Sequence, residues 1–244
     1  MPGPIIIIPA RLAANRLPGK PLADIGGAPM IVHVWRRAME AAVAPVLVAT
    51  DSDAIAEAIR TEGGKALLTR PDHVSGSDRI FEALQYIDGG GQFDVVVNLQ
   101  GDLPLIPPAF LKAVLAPLDD SAVDIATLAA PIARPQERDD PNVVKVVGAP
   151  LSPSRLRALY FTRAAAPWGE GPHYHHLGVY AYRRAALERF VGLPPSPLEA
   201  RERLEQLRAL EAGLRIDVAL IDDAVFGVDT PADLERARAI LGQR

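Results

Sequence analysis

Cysteine is absent from the 244-residue sequence. Its absence excludes disulfide bonds, thiolate catalysis, and zinc or iron–sulfur sites held by cysteine. An excess of basic charge is also missing, because 26 lysines and arginines stand against 30 acidic residues and the formal net charge is -4. The charge of the whole chain therefore recruits neither nucleic acid nor an anionic membrane, and only a local basic pocket could attract a polyanion.

Long hydrophobic runs are missing too. The apolar run at residues 5–8 is too short for the core of a signal peptide, and no basic segment precedes it. The other apolar runs fall short of the ~18 residues that a membrane span needs. Proline, by contrast, is abundant at 23 residues, but the 49% hydrophobic content argues against disorder. We expect a soluble, cytoplasmic protein in which proline interrupts an ordered fold.

Apolar runs and helix-like segments alternate in the first half of the chain. Continuous runs, typical of strands that are covered on both faces, occur at residues 5–8, 46–49, 66–69 and 95–99. Helical patterns lie between them at residues 31–42, 54–61 and 78–87. This order predicts an α/β fold with a mostly parallel sheet, right-handed crossovers and helices on both faces.

The second half of the chain is less regular and rich in proline. Its predicted strands are residues 125–129, 143–147, 158–161, 177–182 and 216–220, and its predicted helix is residues 198–210. Thr230 and Pro231 predict the start of a last helix, as cap and first residue. We therefore expect one domain over residues 1–244, with a proline-rich excursion around residues 130–190.

Basic residues follow the first predicted strand. Arg11, Arg16 and Lys20 lie within ten residues, and Pro18-Gly19 imposes a turn between them. Ligands of open parallel sheets bind beyond the carboxyl ends of the strands, and this loop suits phosphate oxygens. The glycine fingerprints of dinucleotide-binding proteins and P-loop enzymes are absent, which argues against a dehydrogenase or a P-loop kinase.

Two acidic residues complete the predicted site. Asp102 directly follows the fourth predicted strand, and Asp229 lies just before the last helix. One or two carboxylates together with substrate phosphates are the ligands that Mg²⁺ favours. A basic loop with two carboxylates therefore predicts metal-assisted phosphoryl or nucleotidyl transfer, although each acid alone could also serve as a turn or capping residue.

Several motifs together resemble the 3-deoxy-manno-octulosonate cytidylyltransferases, or CMP-Kdo synthetases. They are Arg-Leu-Pro-Gly-Lys-Pro-Leu at 16–22, Thr69-Arg70 with Ser75-Gly76, Gln-Gly-Asp at 100–102, His-Leu-Gly-Val-Tyr at 176–180, Pro-Ser-Pro-Leu-Glu at 195–199, Leu-Glu-Gln-Leu-Arg at 204–208 and Gly-Val-Asp-Thr-Pro at 227–231. The resemblance implies a Rossmann-like nucleotidyltransferase fold. It implies that CTP and 3-deoxy-manno-octulosonate (Kdo) give CMP-Kdo and pyrophosphate, an activation step for lipopolysaccharide assembly, with Mg²⁺ as cofactor. It also implies a homodimer that contacts itself through the excursion.

The resemblance assigns roles to individual residues. Arg11, Lys20 and Asp102 are the implied catalytic residues, and Asp102 and Asp229 the implied metal ligands. The implied nucleotide-binding residues are Pro9, Ala10, Arg11, Arg16, Lys20, Arg70, Ser75 and Gln100. The implied sugar-binding residues are Arg163, His176, Tyr180, Glu205 and Gln206, with Arg163 on the sugar carboxylate.

Three departures from the family pattern leave alternatives open. Leu103 stands where the family usually has an acid, Ala14-Asn15 where it commonly has Ser-Thr, and His175 where it often has Arg. The acceptor could therefore be 8-amino-Kdo or another modified octulosonate. A cytidylyltransferase for a nonulosonic acid such as sialic acid is a second alternative. A catalytically silent nucleotide-binding protein is a third, for which only Leu103 argues.

Overall fold

The apolar run near the start of the chain forms an inner strand of a parallel sheet. The computed structural model describes residues 2–13, 17–222 and 224–242. They group into two compact units, the first built from residues 1–111 and 225–244 and the second from residues 112–224. The organisation as one functional domain stays a prediction.

The helices and strands follow one another along the whole chain. They are β1 (Gly3–Ala10), β2 (Asp24–Ile25), β3 (Ala28–Pro29), α1 (Met30–Ala41), β4 (Val46–Thr50), α2 (Asp53–Thr61), β5 (Lys65–Leu68), α3 (Gly76–Ile87), β6 (Phe93–Asn98), α4 (Pro108–Leu115), β7 (Ile125–Pro131), α5 (Pro135–Asp139), β8 (Lys145–Ser152), β9 (Arg155–Thr162), β10 (Tyr174–Arg183), α6 (Arg184–Val191), α7 (Pro197–Glu202), α8 (Gln206–Glu211), β11 (Ile216–Leu220) and α9 (Pro231–Leu241). No helix in the described ranges is long and apolar enough to cross a membrane.

The sheet of the first unit is parallel, in the order β5-β4-β1-β6. Ile6, Ile7 and Ile8 of β1 and all of β4 are buried. Continuous β-branched runs of this kind are typical of strands shielded from water on both faces. The strands and helices predicted for the first half of the chain are therefore confirmed, with ends that differ by a few residues.

Strand register brings three loops of the first unit to one sheet edge. Pro9 of β1 is level with Ala49 of β4, and Ile7 of β1 is level with Asn98 of β6. Because parallel strands end at the same edge, the loops after β1, β4 and β6 emerge side by side. This edge is where the basic loop and Asp102 were expected.

Helix α9 returns the end of the chain to the first unit. Thr230 caps it, since its Oγ1 accepts a hydrogen bond from Asp233 N at 3.2 Å and Asp233 Oδ2 accepts one from Thr230 N at 2.9 Å. Leu234 and Ala237 pack in a buried cluster with Ile25, Met30 and Val228. The predicted cap and helix start are confirmed, and they fix the segment that carries Asp229.

The sheet of the second unit is mixed. Its strand order is β10-β7-β11-β9-β8, and β10 also pairs with β8, so the five strands close on themselves. Strands β7 and β11 are parallel, whereas β10–β7, β11–β9 and β8–β9 are antiparallel. The excursion around residues 130–190 lies within this unit.

The single helix predicted over residues 198–210 is wrong. The segment forms two short helices, α7 and α8, because Arg203 between them adopts the left-handed conformation with φ 56°. Leu204 N then donates to Glu199 O at 3.3 Å, and the Leu204 side chain becomes buried. A residue in this conformation ends an α-helix, which the spacing of the leucines alone did not indicate.

Candidate active site

A polar cavity of about 370 Å³ lies in the first unit, at the carboxyl edge of its sheet. The residues that line it come from the loops after β1, β5 and β6, from the start of α3 and from the segment before α9. They are Pro9, Ala10, Arg11, Leu17, Lys20, Pro21, His73, Val74, Ser75, Gly76, Arg79, Gln100, Gly101, Asp102 and Asp229. Most of the residues predicted for nucleotide and metal are therefore brought together.

Lys20 joins the two predicted metal ligands. Its Nζ donates to Asp102 Oδ2 at 2.9 Å and to Asp229 Oδ1 at 3.0 Å, although the two acids are far apart in sequence. Burial alone would lower the pKa of Lys20, but the two carboxylates outweigh it and hold the pKa above its usual value. Lys20 is therefore charged throughout the neutral range.

The backbone of three loops places this group of charges. Gly19 has φ 68°, which only glycine adopts readily, and a short 3₁₀ turn beginning at Lys20 follows it. A Cβ on Gly101 would lie 2.9 Å from Pro9 O, so the loop with Asp102 can approach β1 only because that residue is glycine. Val228 N donates to Asp102 O at 2.9 Å, which joins the two acidic loops.

The donor set fits a hard divalent cation. Asp102 and Asp229 both reach one point, now held by the Lys20 ammonium, and carboxylate oxygens suit Mg²⁺. The described residues contain no group of three or more histidine, cysteine or acidic side chains placed to hold a metal. Any further ligands of a cation here would come from substrate phosphates and water.

A buried arginine beneath the cavity was missed by sequence reasoning. Arg79 is 3% exposed, and it donates to Asp51 Oδ2 at 3.1 Å, Thr69 Oγ1 at 2.6 Å and Arg70 O at 3.2 Å. Asp51 Oδ1 in turn accepts from Leu12 N at 3.1 Å. One guanidinium thus connects the loops after β4 and β5 and, through Asp51, the basic loop after β1.

His73 is a second cavity residue that was not predicted. Its Nε2 forms a hydrogen bond to Glu82 Oε2, and Arg70 N donates to the same carboxylate at 3.1 Å. Burial would raise the pKa of Glu82, but these hydrogen bonds outweigh it and lower the pKa below its usual value. An ionised Glu82 therefore holds the loop between β5 and α3 in place.

Some predicted nucleotide residues have other contacts. Ser75 caps α3, since its Oγ accepts from Asp78 N at 3.2 Å and donates to Asp78 Oδ2 at 3.0 Å. The Arg70 side chain is 67% exposed, lies 3.3 Å from Asp72 Oδ1 and does not line the cavity. Arg16 lies outside the described residues, as do Ala14 and Asn15. The roles of these residues stay predictions.

Two of the predicted sugar residues lie in β10 of the second unit. His176 is buried against Phe161 and Tyr180, and its Nε2 lies 3.0 Å from Thr127 Oγ1. The Thr127 hydroxyl donates to Val179 O at 2.8 Å or to Leu177 O at 3.2 Å, and because neither carbonyl can donate, we assign the N–H of the contact to His176 Nε2, which makes its Nδ1 an acceptor. Burial lowers the pKa of His176 to about 3 and raises that of Tyr180 well above its usual value.

The other predicted sugar residues lie at β9 and around α8. Gln206 is buried, and its Nε2 has no hydrogen-bond partner in the part of the chain that is described. Glu205 Oε1 is 3.9 Å from the Arg208 guanidinium. Arg163 donates Nε to Glu202 O at 2.9 Å and one terminal nitrogen to Pro141 O at 2.9 Å. Its position is set by backbone carbonyls of the second unit.

Comparisons with known proteins agree on one family. The sequence model of the cytidylyltransferase family matches residues 5–216. A 3-deoxy-manno-octulosonate cytidylyltransferase of Methylobacterium sp. (strain 4-46) is 67% identical over 244 residues, which cover 100% of this chain and 99% of that protein. The enzyme of the same name from Rhodopseudomonas palustris (strain HaA2) is 66% identical over 240 residues and 98% of each chain. This chain belongs to the 3-deoxy-manno-octulosonate cytidylyltransferase family.

Solved structures agree with that membership. A CMP:2-keto-3-deoxy-manno-octonic acid synthetase complexed with CTP is similar with a TM-score of 0.92 at 42% identity, over 99% of both chains. The 4-diphosphocytidyl-2C-methyl-D-erythritol synthase of Anaerococcus prevotii, at 14% identity and a TM-score of 0.66, shares the fold alone over 100% of this chain and 99% of its own. The family, the α/β nucleotidyltransferase fold and the enzyme class predicted from the sequence are therefore confirmed. Enzymes of the cytidylyltransferase family generally use a divalent metal ion.

Proposed function

We propose that this chain transfers CMP from CTP to the anomeric hydroxyl of Kdo, in lipopolysaccharide biosynthesis. The observation that carries the proposal is the contact of Lys20 with both Asp102 and Asp229 at the edge of the parallel sheet. It unites a phosphate-binding cation with two carboxylates that suit a metal, as transfer of a nucleotidyl group requires. The 67% identity to an enzyme of that name supports the choice of substrates.

The reaction replaces a phosphoanhydride bond of CTP by a phosphodiester bond to the sugar. The anomeric 2-hydroxyl oxygen of Kdo forms a bond to the α-phosphorus of CTP, and the bond from that phosphorus to the α,β-bridging oxygen breaks. Pyrophosphate leaves, and the hydroxyl proton passes to water. Since little covalent chemistry falls to the protein, positioning and charge stabilisation supply most of the rate enhancement.

The basic residues of the cavity neutralise the triphosphate. Arg11 and Lys20 both line it, and the buried guanidinium of Arg79 adds positive charge beneath them. Ser75, the N-cap of α3, and Gly76, its first residue, line the same cavity, and the N-terminus of a helix favours an anion. These groups stabilise negative charge on the α-phosphate and on the leaving pyrophosphate.

Asp102 and Asp229 would hold Mg²⁺ next to the α-phosphate. When bound, the ion lowers the pKa of the attacking hydroxyl and stabilises the charge that develops on the phosphate oxygens. The chain's own part is to aim both carboxylates at one point, and the backbone bond from Val228 N to Asp102 O joins the two loops that carry them. Magnesium as the particular metal is part of this proposal.

The second unit would bind the acceptor sugar. His176 Nδ1 can accept a hydrogen bond from a sugar hydroxyl, and the amide nitrogen of Gln206, which has no partner among the described residues, can donate one. Arg163 has five N–H donors, and its contacts to backbone carbonyls leave donors for the sugar carboxylate. Tyr180 and Glu205 would contact the remaining hydroxyls.

A homodimer and a cytoplasmic location belong to the same proposal. Leu151 and Leu159 are 49% and 58% exposed on β8 and β9, and Trp168 in the same excursion is 100% exposed. Apolar side chains that stay in water in a single chain favour contact with a second copy. Sedimentation of the native chain and of Trp168→Ser tests the dimer, and a native chain that sediments as a monomer would contradict it. Cell fractionation tests the location.

Pyrophosphate release tests the activity directly. CTP with Kdo should give turnover, and UTP, ATP or GTP with Kdo should give far less. The acceptor panel includes 8-amino-Kdo and sialic acid, and faster turnover with either would replace Kdo as the substrate. Asp102→Asn should reduce turnover by at least about 10³-fold without unfolding the chain. Near-normal release by that variant would refute the metal role of Asp102.

A further inference from the structure

Asn98 lies directly behind the cavity, at the carboxyl end of β6. It is 2% exposed, and its backbone position is fixed by pairing with Ile7 of the central strand β1. It does not line the cavity, but Gln100, two residues later, does. The Nε2 atom of Gln100 donates a hydrogen bond to Asn98 Oδ1 at 2.9 Å. The buried side-chain amide of Asn98 therefore holds the side-chain amide of Gln100, which lines the cavity, in one orientation.

The orientation of the Gln100 amide determines what it offers to a ligand. A carboxamide has a donor side and an acceptor side, and here the donor side is directed at Asn98. Within the described ranges no side chain or backbone group forms a hydrogen bond with Gln100 Oε1, so this oxygen is the acceptor that Gln100 can offer to the cavity, beside the second N–H of its amide nitrogen. Turning the amide over would leave the buried Asn98 Oδ1 without a donor, which disfavours that orientation by about tenfold to a hundredfold.

An acceptor at this position distinguishes two pyrimidines. Cytosine carries an amino group at position 4, which donates hydrogen bonds, whereas uracil carries a carbonyl there, which only accepts them. A fixed acceptor therefore pairs with cytosine and is left facing the oxygen of uracil. Sites that leave buried polar groups unpaired with the wrong substrate reject it most strongly.

We propose that Asn98 is a specificity-determining positioning residue, which holds Gln100 Oε1 toward the amino group of cytosine and so selects CTP over UTP. The inference rests on the proposed function, and it takes Gln100, a cavity residue and one of the implied nucleotide-binding residues, as the side chain that contacts the base. Asn98 does not line the cavity in which the base and the phosphates would bind. Its effect should appear in the choice between nucleotides rather than in the rate of phosphate chemistry.

The test compares kcat/KM for CTP and UTP, with Kdo as acceptor and pyrophosphate release as the signal. Asn98→Leu removes the acceptor and frees the Gln100 amide to turn its donor side toward uracil. The ratio of kcat/KM for CTP to kcat/KM for UTP should then fall about tenfold or more. Asn98→Asp is the matched variant, because a carboxylate only accepts hydrogen bonds and should hold the amide as asparagine does. Its ratio should stay within about threefold of the native ratio.

Equilibrium binding of CTP and UTP to each variant gives the same ratio where turnover with UTP is too slow to measure. An unchanged ratio in Asn98→Leu would overturn the proposal. A collapsed ratio in Asn98→Asp would also overturn it, because Asn98 would then be the donor to Gln100. Should Asn98→Leu fail to fold, judged by its thermal unfolding, the Asn98→Asp ratio decides alone.

Gln100→Leu tests the contact between Gln100 and the base separately from the role of Asn98. If Gln100 contacts the base, the variant should lose kcat/KM for CTP by about tenfold or more. Loss in Gln100→Leu with a native ratio in Asn98→Leu refutes the role of Asn98 and keeps the base contact. No loss in Gln100→Leu refutes the base contact, and the role of Asn98 falls with it.

Discussion

Lys20 Nζ occupies the point on which two acidic side chains converge, 2.9 Å from Asp102 and 3.0 Å from Asp229. Two carboxylates aimed at one point repel each other unless a cation lies between them. In this structure the cation is an ammonium group, and in the proposed reaction it is a metal ion. Lys20 and the metal should therefore compete for the same oxygens, and a Lys20 displaced by the metal would be available to the triphosphate.

Lys20→Met tests that competition. The variant loses the ammonium but keeps an unbranched side chain, so the carboxylates are left without their cation. Binding of Mn²⁺ in the absence of nucleotide, followed by its electron paramagnetic resonance signal, should tighten by about tenfold, while kcat/KM for CTP should fall by about 10²-fold. Arg11→Met removes a positive charge from the same cavity without freeing the carboxylates, and its Mn²⁺ affinity should stay closer to the native value. Weaker Mn²⁺ binding by Lys20→Met would contradict the competition.

Leu103 directly follows Asp102, one of the two proposed metal ligands. Its side chain is 7% exposed, and both its Cδ2 and Asp102 Oδ1 would lie 3.8 Å from a Cβ placed on Gly227. A glutamate at this position would therefore bring a third carboxylate close to Asp102. Leucine here reduces the negative charge of the site without disturbing the loop.

Leu103→Glu should raise the affinity for the metal and lower the stability of the folded chain. The free energy of unfolding without metal should fall by about 2 kcal/mol, because a carboxyl group replaces a buried apolar side chain. The Mg²⁺ concentration that half-saturates turnover should fall several-fold. Leu103→Gln has the same shape without the charge and should show only the loss of stability. An unchanged Mg²⁺ requirement in Leu103→Glu would mean that the position lies outside the metal site.

At the scale of elements, the residues of the proposed site are positioned by the ends of strands and by the start of a helix. Strands β1, β4 and β6 deliver Arg11, Asp51 and Gln100 to one edge of the sheet. The start of α9 delivers Asp229, whose backbone N donates to Asp233 Oδ2 at 3.2 Å. The capping pair of Thr230 and Asp233 therefore connects the stability of a helix to the position of a proposed metal ligand.

Thr230→Ala should lower the stability of α9 and also loosen the position of Asp229. Loss of the cap should lower the free energy of unfolding by about 1 kcal/mol, measured by urea denaturation. It should also raise the Mg²⁺ concentration needed for half-maximal turnover, because Asp229 is then held less firmly. Thr230→Ser keeps the hydroxyl and should preserve both values. If Thr230→Ala shows the expected loss of stability but an unchanged Mg²⁺ requirement, the cap does not position Asp229.

The elements also show what the sequence can and cannot predict. Continuous buried runs predicted the parallel strands, the loops after them predicted Lys20 and Asp102, and the start of the last helix predicted Asp229, because all of these follow from local order. Arg79 was missed because its partner Asp51 lies 28 residues away, and a buried ion pair leaves no periodic signal. The break at Arg203 was missed because a left-handed residue other than glycine has no reliable local signature.

Over the molecule as a whole, burial of ionisable groups should set the dependence of stability on pH. Burial lowers the pKa of His176 from 6.5 to about 3, and burial also lowers that of His175. Below pH 6.5 the unfolded chain therefore binds a proton that folded His176 excludes, and stability falls as the pH falls. Glu82, Glu199 and Asp233 have lowered pKa values, so their contributions are lost only in more acidic solution, below their unfolded pKa values of 4.5 or 3.8.

Between pH 7 and pH 5, His176 alone should lower the free energy of unfolding by about 2 kcal/mol, because its unfolded form becomes almost fully protonated. His176→Gln keeps a donor for Thr127 Oγ1 but cannot titrate, so its stability should fall by about 2 kcal/mol less than that of the native chain over the same interval. Urea denaturation at both pH values measures the difference. His173→Gln removes a histidine from the same segment and should keep the native dependence. Equal losses of unfolding free energy in the native chain and in His176→Gln would mean that His176 becomes protonated in the folded chain. At pH 5 its Nδ1 could then not accept a hydrogen bond from the sugar.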